Sequence, residues 1–269
     1  MNTRPISFRR PAAGFTLMEA IITIVITGIL AGMVAVFIRA PIKAYFDVAR
    51  RAELTDIADT AMRRISRDVR AALPNSARLA GICDGVGTCY LEFVPIKSAG
   101  RYRESGPGNT LDFTAATDTF DVLGPGVNIA AADSIVIYNL GITGSDVYAG
   151  TDRRVATTAG TALATAGYAG GAFPFSSPAR RFQVVGTPVT YACNTGAGVL
   201  QRYSGYAFTD PQPQPPAGTP ALLASNVSRC RFSYQMLNQL NALISLELGL
   251  TKDAEPVSLI EQVHVNNVP

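Results

Sequence analysis

From Ala20 to Ile38 the chain runs nineteen residues without a charge, AIITIVITGILAGMVAVFI. At about 1.5 Å of rise per residue, a helix of that length nearly crosses a hydrocarbon core roughly 30 Å thick. A buried helix of a soluble protein is the weaker reading for an apolar run of this length. Arg4, Arg9 and Arg10 precede it with no acid before Glu19. They keep the amino terminus cytoplasmic and place the chain beyond Arg39 outside.

The formal charge of +3 belongs wholly to residues 1–14, and the remainder balances at 20 basic against 20 acidic side chains. That charge is too small to suggest a nucleic-acid binder. A secretory signal peptide would have a shorter apolar core and a small-residue cleavage site, whereas this run ends in Arg39-Ala40-Pro41. The Arg9-Arg10 pair alone is weak ground for a twin-arginine signal.

Glu19 is the residue that does not fit an ordinary anchor. A carboxylate in an apolar span costs about 2.5 to 3.5 kcal/mol at a central position, less near an interface. It closes the run Gly14-Phe15-Thr16-Leu17-Met18-Glu19, after a basic leader and before the apolar helix. In this the sequence resembles the type IV prepilin family. The resemblance implies cleavage between Gly14 and Phe15 by a prepilin peptidase, methylation of the new amino group of Phe15, and pairing of Glu19 with the amino terminus of a neighbouring subunit. Pairing answers the cost of the carboxylate, because a charge removed from water is tolerable chiefly beside its opposite.

The expected architecture is α+β, a long amino-terminal membrane-spanning helix packed on the antiparallel β-sheet of a globular head. Three segments follow: a leader over 1–14, a helix over 15–73 (spanning at about 20–38, amphipathic over 42–73) and a β-rich head over 74–269. The helix would measure about 88 Å. Apolar residues at Val48, Ala52, Ile57, Ala58, Ala61, Met62, Ile65, Val69 and Leu73 recur three or four apart. Pro41 predicts a kink, and Pro74 with Asn75 a stop. Asp59 with Arg63 makes one of several i, i+4 pairs on a solvated face. Gly28 and Gly32 match a small-residue helix-packing pattern.

After Pro74 short β-rich runs begin, at 90–94, 134–138, 181–185, 189–193, 198–203, 227–234, 244–250 and 257–265. The stretch from Thr187 to Tyr203 reads as a hairpin turning through Asn194-Thr-Gly-Ala-Gly198. Gly141 to Ala172 and Asp210 to Pro216 read as irregular loops, the second with extended polyproline character and little buried side chain.

Cys83, Cys89, Cys193 and Cys230 all fall on the side expected to be oxidising, where four cysteines allow three disulfide connectivities. One of these pairs Cys83 with Cys89 and Cys193 with Cys230. Zinc is not expected, since no Cys-x-x-Cys occurs and the single histidine, His264, lies on the last predicted strand. Asp118 and Asp121 form a weak calcium candidate. No nucleophile elbow or phosphate-cradling loop is present, so neither enzymatic activity nor a cofactor is expected.

A looser resemblance rests on Ala49 to Leu54, Arg67 to Ser76, the hairpin Thr187 to Tyr206 and the closing Glu261 to Pro269. Together these are similar to the MshO minor-pilin family of the mannose-sensitive haemagglutinin pilus system, related in architecture to the J-type pseudopilins of type II secretion. Here the first proline after the motif is Pro41, at the edge of the apolar half, whereas many major pilins carry one within it. The implied partners are pilin and minor pilin subunits, prepilin peptidase, the inner membrane and the pilus assembly machinery. The implied location is the inner membrane with a periplasmic head, then a pilus or pseudopilus. A membrane-anchored periplasmic enzyme or binding protein is the alternative of another class.

Overall fold

The computed structural model describes residues 14–115, 118–238 and 240–269, so the arginines Arg4, Arg9 and Arg10 and residue Thr117 lie outside the described residues. One helix, α1, spans Leu17–Arg70 without a break, with Pro41 inside it. The chain divides into two compact units, residues 1–50 and 51–269, and the division falls within α1.

In the first unit α1 begins where Thr16 caps it: the Glu19 N–H donates to Thr16 Oγ1 at 3.2 Å. The window of highest hydropathy has no buried residue. Both Leu17 and Phe37 are about four-fifths exposed. A helix apolar all round and bare of protein is suited to a lipid environment.

In the second unit the end of α1 is set by competition with a strand. Ala71 and Ala72 donate to the carbonyls of Asp68 and Val69, tightening the last turn. Leu73 then donates to Val94 at 2.7 Å and Ile96 to Ala71 at 2.8 Å. The helix therefore stops at Arg70, before the expected Leu73. Asn75, at φ 60°, turns the chain away.

Seventeen strands follow among the described residues. β1 (Arg78–Gly81), β3 (Thr88–Phe93), β12 (Val189–Asn194), β13 (Val199–Ser204) and β14 (Ala221–Ser225) form a five-stranded sheet in that order. β17 (Glu255–Asn266), β16 (Asn241–Lys252), β15 (Val227–Asn238) and β2 (Asp84–Gly85) form a four-stranded sheet. Neighbours in both are antiparallel. The expected hairpin is β12 paired with β13, Asn194 opposite Val199, with Gly198 at φ 67°. That left-handed conformation costs glycine little.

Both sheets and the second half of α1 share one core. Leu54, Ala58, Ala61, Met62, Ile65 and Val69 of the helix meet Leu91, Tyr191, Phe232, Ile244, Leu246 and Val263. The stripe thus differs from the sequence reading at its start. Val48 and Ala52 are exposed and Leu54, outside the predicted stripe, is buried. From Leu54 onward the apolar stripe of α1 packs into the core of the β-rich head. Nor is the charged face simply solvated. Glu53 binds Lys252 at 3.1 Å and Arg51 binds Glu255 at 2.9 Å, while Asp68 accepts from Tyr191 Oη at 2.7 Å and from Arg202 at 3.2 Å. Burial and the Asp68 hydrogen bond together push the Tyr191 phenol well up from its ordinary range. Asp59 and Arg63 pair at 2.7 Å along the helix, as their spacing suggests.

The single expected sheet is joined by a second body. β4 (Ile96–Tyr102), β5 (Thr119–Leu123), β7 (Ser134–Val136), β8 (Arg153–Ala156), β10 (Thr165–Ala169) and β11 (Arg181–Val185) close into a six-stranded antiparallel barrel. It lies in the chain between β3 and β12, themselves hydrogen-bonded neighbours. Its own core contains Tyr102, Phe120, Ile135, Tyr168, Phe173 and Phe182. Beside it β6 (Val127–Ile129) pairs with β9 (Gly160–Leu163). There Gly126 lies so close to the Ala162 backbone that no Cβ would fit. The stretch Gly141 to Ala172, read from sequence as irregular, therefore supplies three strands, β8 to β10. Their Thr, Gly and Ala residues carry little period-2 hydrophobic signal.

The proline-rich stretch also departs from an extended loop. Gln212 is buried and donates to the Tyr90 carbonyl at 3.3 Å, and Arg78 reaches Asp210 at 3.2 Å and the Thr209 carbonyl at 2.6 Å. Its side chains are thus tied to β1 and β3 rather than left to solvent.

Candidate assembly site at the amino-terminal segment

Gly14, Phe15 and Thr16 precede α1, exposed and outside any helix or strand, and no heavy atom outside the neighbouring residues lies within 4 Å of where a Gly14 Cβ would stand. Phe15 is 69% exposed.

Glu19 is exposed at the third helical position. Thr16-Leu17-Met18-Glu19 has the form of a capping box, in which a hydroxyl at the cap and a carboxylate three residues later satisfy free N–H groups. The Thr16 half of the box is formed. A carboxylate in the first turn also faces the positive end of the helix dipole. The sequence reading missed this role of Thr16, although the Thr-x-x-Glu spacing carries the signal. One turn on, Thr23 Oγ1 donates to the Glu19 and Ala20 carbonyls, both at 2.9 Å, and Thr27 Oγ1 donates to the Thr23 carbonyl. The span's hydroxyls are therefore satisfied within the helix, and Glu19 is its one charged group. Gly28 and Gly32 have open space where a Cβ would be.

The other singled-out residues lie elsewhere. Cys83 bonds to Cys89 with Cα atoms 4.8 Å apart, and Cys193 bonds to Cys230 at 6.4 Å, joining the five-stranded sheet to the four-stranded one. Asp121 is held by Arg103 at 3.1 Å and the Asn109 N–H at 3.2 Å, so the calcium reading with Asp118 loses its main ligand to an ion pair. Among the described residues no group of three or more His, Cys, Asp or Glu side chains is placed to hold a metal. His264 sits exposed on β17 opposite Leu243.

Residues 9–35 match the family model described as the prokaryotic N-terminal methylation motif. The match covers the leader's end, the Gly14 to Glu19 run and most of the apolar half of α1, and it supports a type IV prepilin-like protein, of pilin or pseudopilin type. Neither a curated protein nor a solved structure matches the chain.

Proposed function

We propose that the chain is a minor type IV pilin, similar to MshO of the mannose-sensitive haemagglutinin system, that initiates, primes or caps pilus assembly through α1. On this reading it is a filament subunit and not an enzyme. Prepilin peptidase removes residues 1–14 and methylates Phe15, with the globular unit on the periplasmic side. The observation that carries the reading is Glu19, the sole charge in an otherwise apolar, protein-free stretch of helix, four residues from the new amino terminus. Packing spans together buries that carboxylate, and the α-amino group of Phe15 in a neighbouring subunit is the partner that neutralises it.

Glu19→Ala and Glu19→Gln, compared for incorporation into sheared surface filaments, test this. Glutamine can still serve the capping box, so it separates charge from cap. Loss of a buried partner costs about 3 to 5 kcal/mol, so both variants should incorporate at least about a hundredfold less. Normal incorporation of Glu19→Ala would contradict the pairing, and rescue by glutamine alone would assign Glu19 to the cap. Incorporation into a secretion pseudopilus in place of a pilus would make the subunit a J-type pseudopilin.

A further inference from the structure

The two disulfides lie side by side. Cys89 of β3 and Cys193 of β12 are direct partners in the ladder that joins those strands. Residues so placed point to one face of a sheet, with Cβ atoms about 4.5 to 5.5 Å apart. A disulfide asks for about 3.5 to 4.5 Å, so the strands need close by only about 1 Å for these two sulfurs to bond to each other. The remaining cysteines are drawn to the same place. Gly85 of β2, inside the loop closed by Cys83 and Cys89, stands opposite Cys230 of β15. Cys89, Cys193 and Cys230 belong to the shared core, and Cys83 packs against it.

The four sulfurs differ in access. Cys89, Cys193 and Cys230 are each no more than 2% exposed. Cys83 is half-buried, on a loop whose Ile82 and Val86 are 59% and 70% exposed. An external thiolate therefore meets Cys83 first, and attack on that sulfur expels Cys89. The expelled thiolate stands in an apolar core, where its charge is unfavourable and no outside reagent meets it. The sulfurs beside it are Cys83, from which it has just parted, and Cys193 across the ladder.

We propose that Cys83 is a thiol–disulfide exchange site through which an external dithiol opens the buried Cys193–Cys230 bond. One sulfur of the dithiol bonds to Cys83, and Cys89 leaves as the thiolate. Cys89 then bonds to Cys193, the Cys193–Cys230 bond breaks, and Cys230 takes up a proton. The second thiol of the reagent closes onto the first, so the reagent departs as a cyclic disulfide and Cys83 is left as a thiol. The chain gains two electrons and two protons and keeps one disulfide, Cys89–Cys193. The Cys193–Cys230 bond ties the five-stranded sheet to the four-stranded one, whereas Cys89 and Cys193 both lie in the five-stranded sheet. Exchange thus unfastens the two sheets without a reductant entering the core. This chemistry is independent of the assembly role proposed above.

The test treats the full-length chain in detergent micelles with limiting dithiothreitol. Samples are quenched in acid, unfolded, alkylated and cut with trypsin, and linked peptides are assigned by fragmentation mass spectrometry. The wild type should pass through a state in which residues 79–97 are joined to residues 182–202 through Cys89 and Cys193, with Cys83 and Cys230 alkylated. Cys83→Ser leaves Cys89 a free thiol and should show the same linkage with no reductant added. The Cys83→Ser, Cys89→Ser double variant should open Cys193–Cys230 at least about tenfold more slowly than the wild type, because direct attack must reach a buried bond. Three results would each overturn the proposal. They are a two-thiol state labelled on Cys83 and Cys89 with no Cys89–Cys193 linkage at any time, a Cys83→Ser chain whose Cys89 stays free throughout, and a double variant that opens as fast as the wild type.

Discussion

Asp152 is the least comfortable charge in the globular unit. It is fully buried just before β8, where its own backbone N–H and the Ser145 hydroxyl are the donors at hand and neither makes a well-aligned hydrogen bond to the carboxylate. Burial pushes it up to about 7; its own backbone N–H, the Arg154 guanidinium and the Ser145 hydroxyl offset only part of this, and the nearby Asp146 carboxylate adds to it. Its ordinary value is 3.8. Because the folded state holds the proton more tightly, the stability this group contributes is fully present below pH ~4, falls as pH rises toward 7, then levels off. At about 1.36 kcal/mol per unit, the loss over that window is roughly 4 kcal/mol. Asp152→Asn removes the titration. It should fall about 1 kcal/mol below the wild type near pH 4, the cost of a buried amide short of partners, and exceed it by about 3 kcal/mol at pH 8. Urea unfolding of the full-length chain in micelles, followed by tyrosine fluorescence, reads this out, since the chain has ten tyrosines and no tryptophan. Asp112, lowered by the N–H and hydroxyl of Thr114, acts in the opposite sense but only as pH falls below its ordinary 3.8, outside this window. A wild type that gains stability from pH 4 to 7, or an Asp152→Asn variant no more stable at pH 8, would refute the reasoning.

Ile65→Ala, in the shared core, should lower unfolding stability by about 2 to 5 kcal/mol. Val48→Ala, at an exposed position of the predicted stripe, should change the globular unit by less than about 0.5 kcal/mol; denaturant midpoints compare the two. Replacing Cys193 and Cys230 by serine should cost about 2 to 4 kcal/mol. The same change at Cys83 and Cys89 should cost about 1.5 kcal/mol less, because the sequence separation closed is 6 rather than 37; matched thermal scans measure the difference.

The parts legible in the sequence are those where one physical signal dominates. The span from Ala20 to Ile38 is marked by absence of charge, and β11 to β13 and β15 to β17 by dense β-branched and aromatic residues. The barrel strand Thr165–Ala169 and its neighbour Gly160–Leu163 escape such reading because small residues such as Ala166 share a core with rings from other segments, Phe120 and Phe182. Amphipathic spacing alone does not say where along the helix packing begins: Leu54 enters the shared core, whereas Val48 is exposed. At the amino terminus Gly14, Phe15 and Glu19 are contiguous and readable together, and Thr16 as cap follows from the same four-residue spacing.

Mass spectrometry of the protein purified from its own membrane tests the central claim most directly. Processing between Gly14 and Phe15 gives a chain beginning at N-methylated Phe15, shorter by fourteen residues. An intact Met1, or cleavage after the apolar run, contradicts the assignment of Gly14, Phe15 and Glu19 to filament assembly.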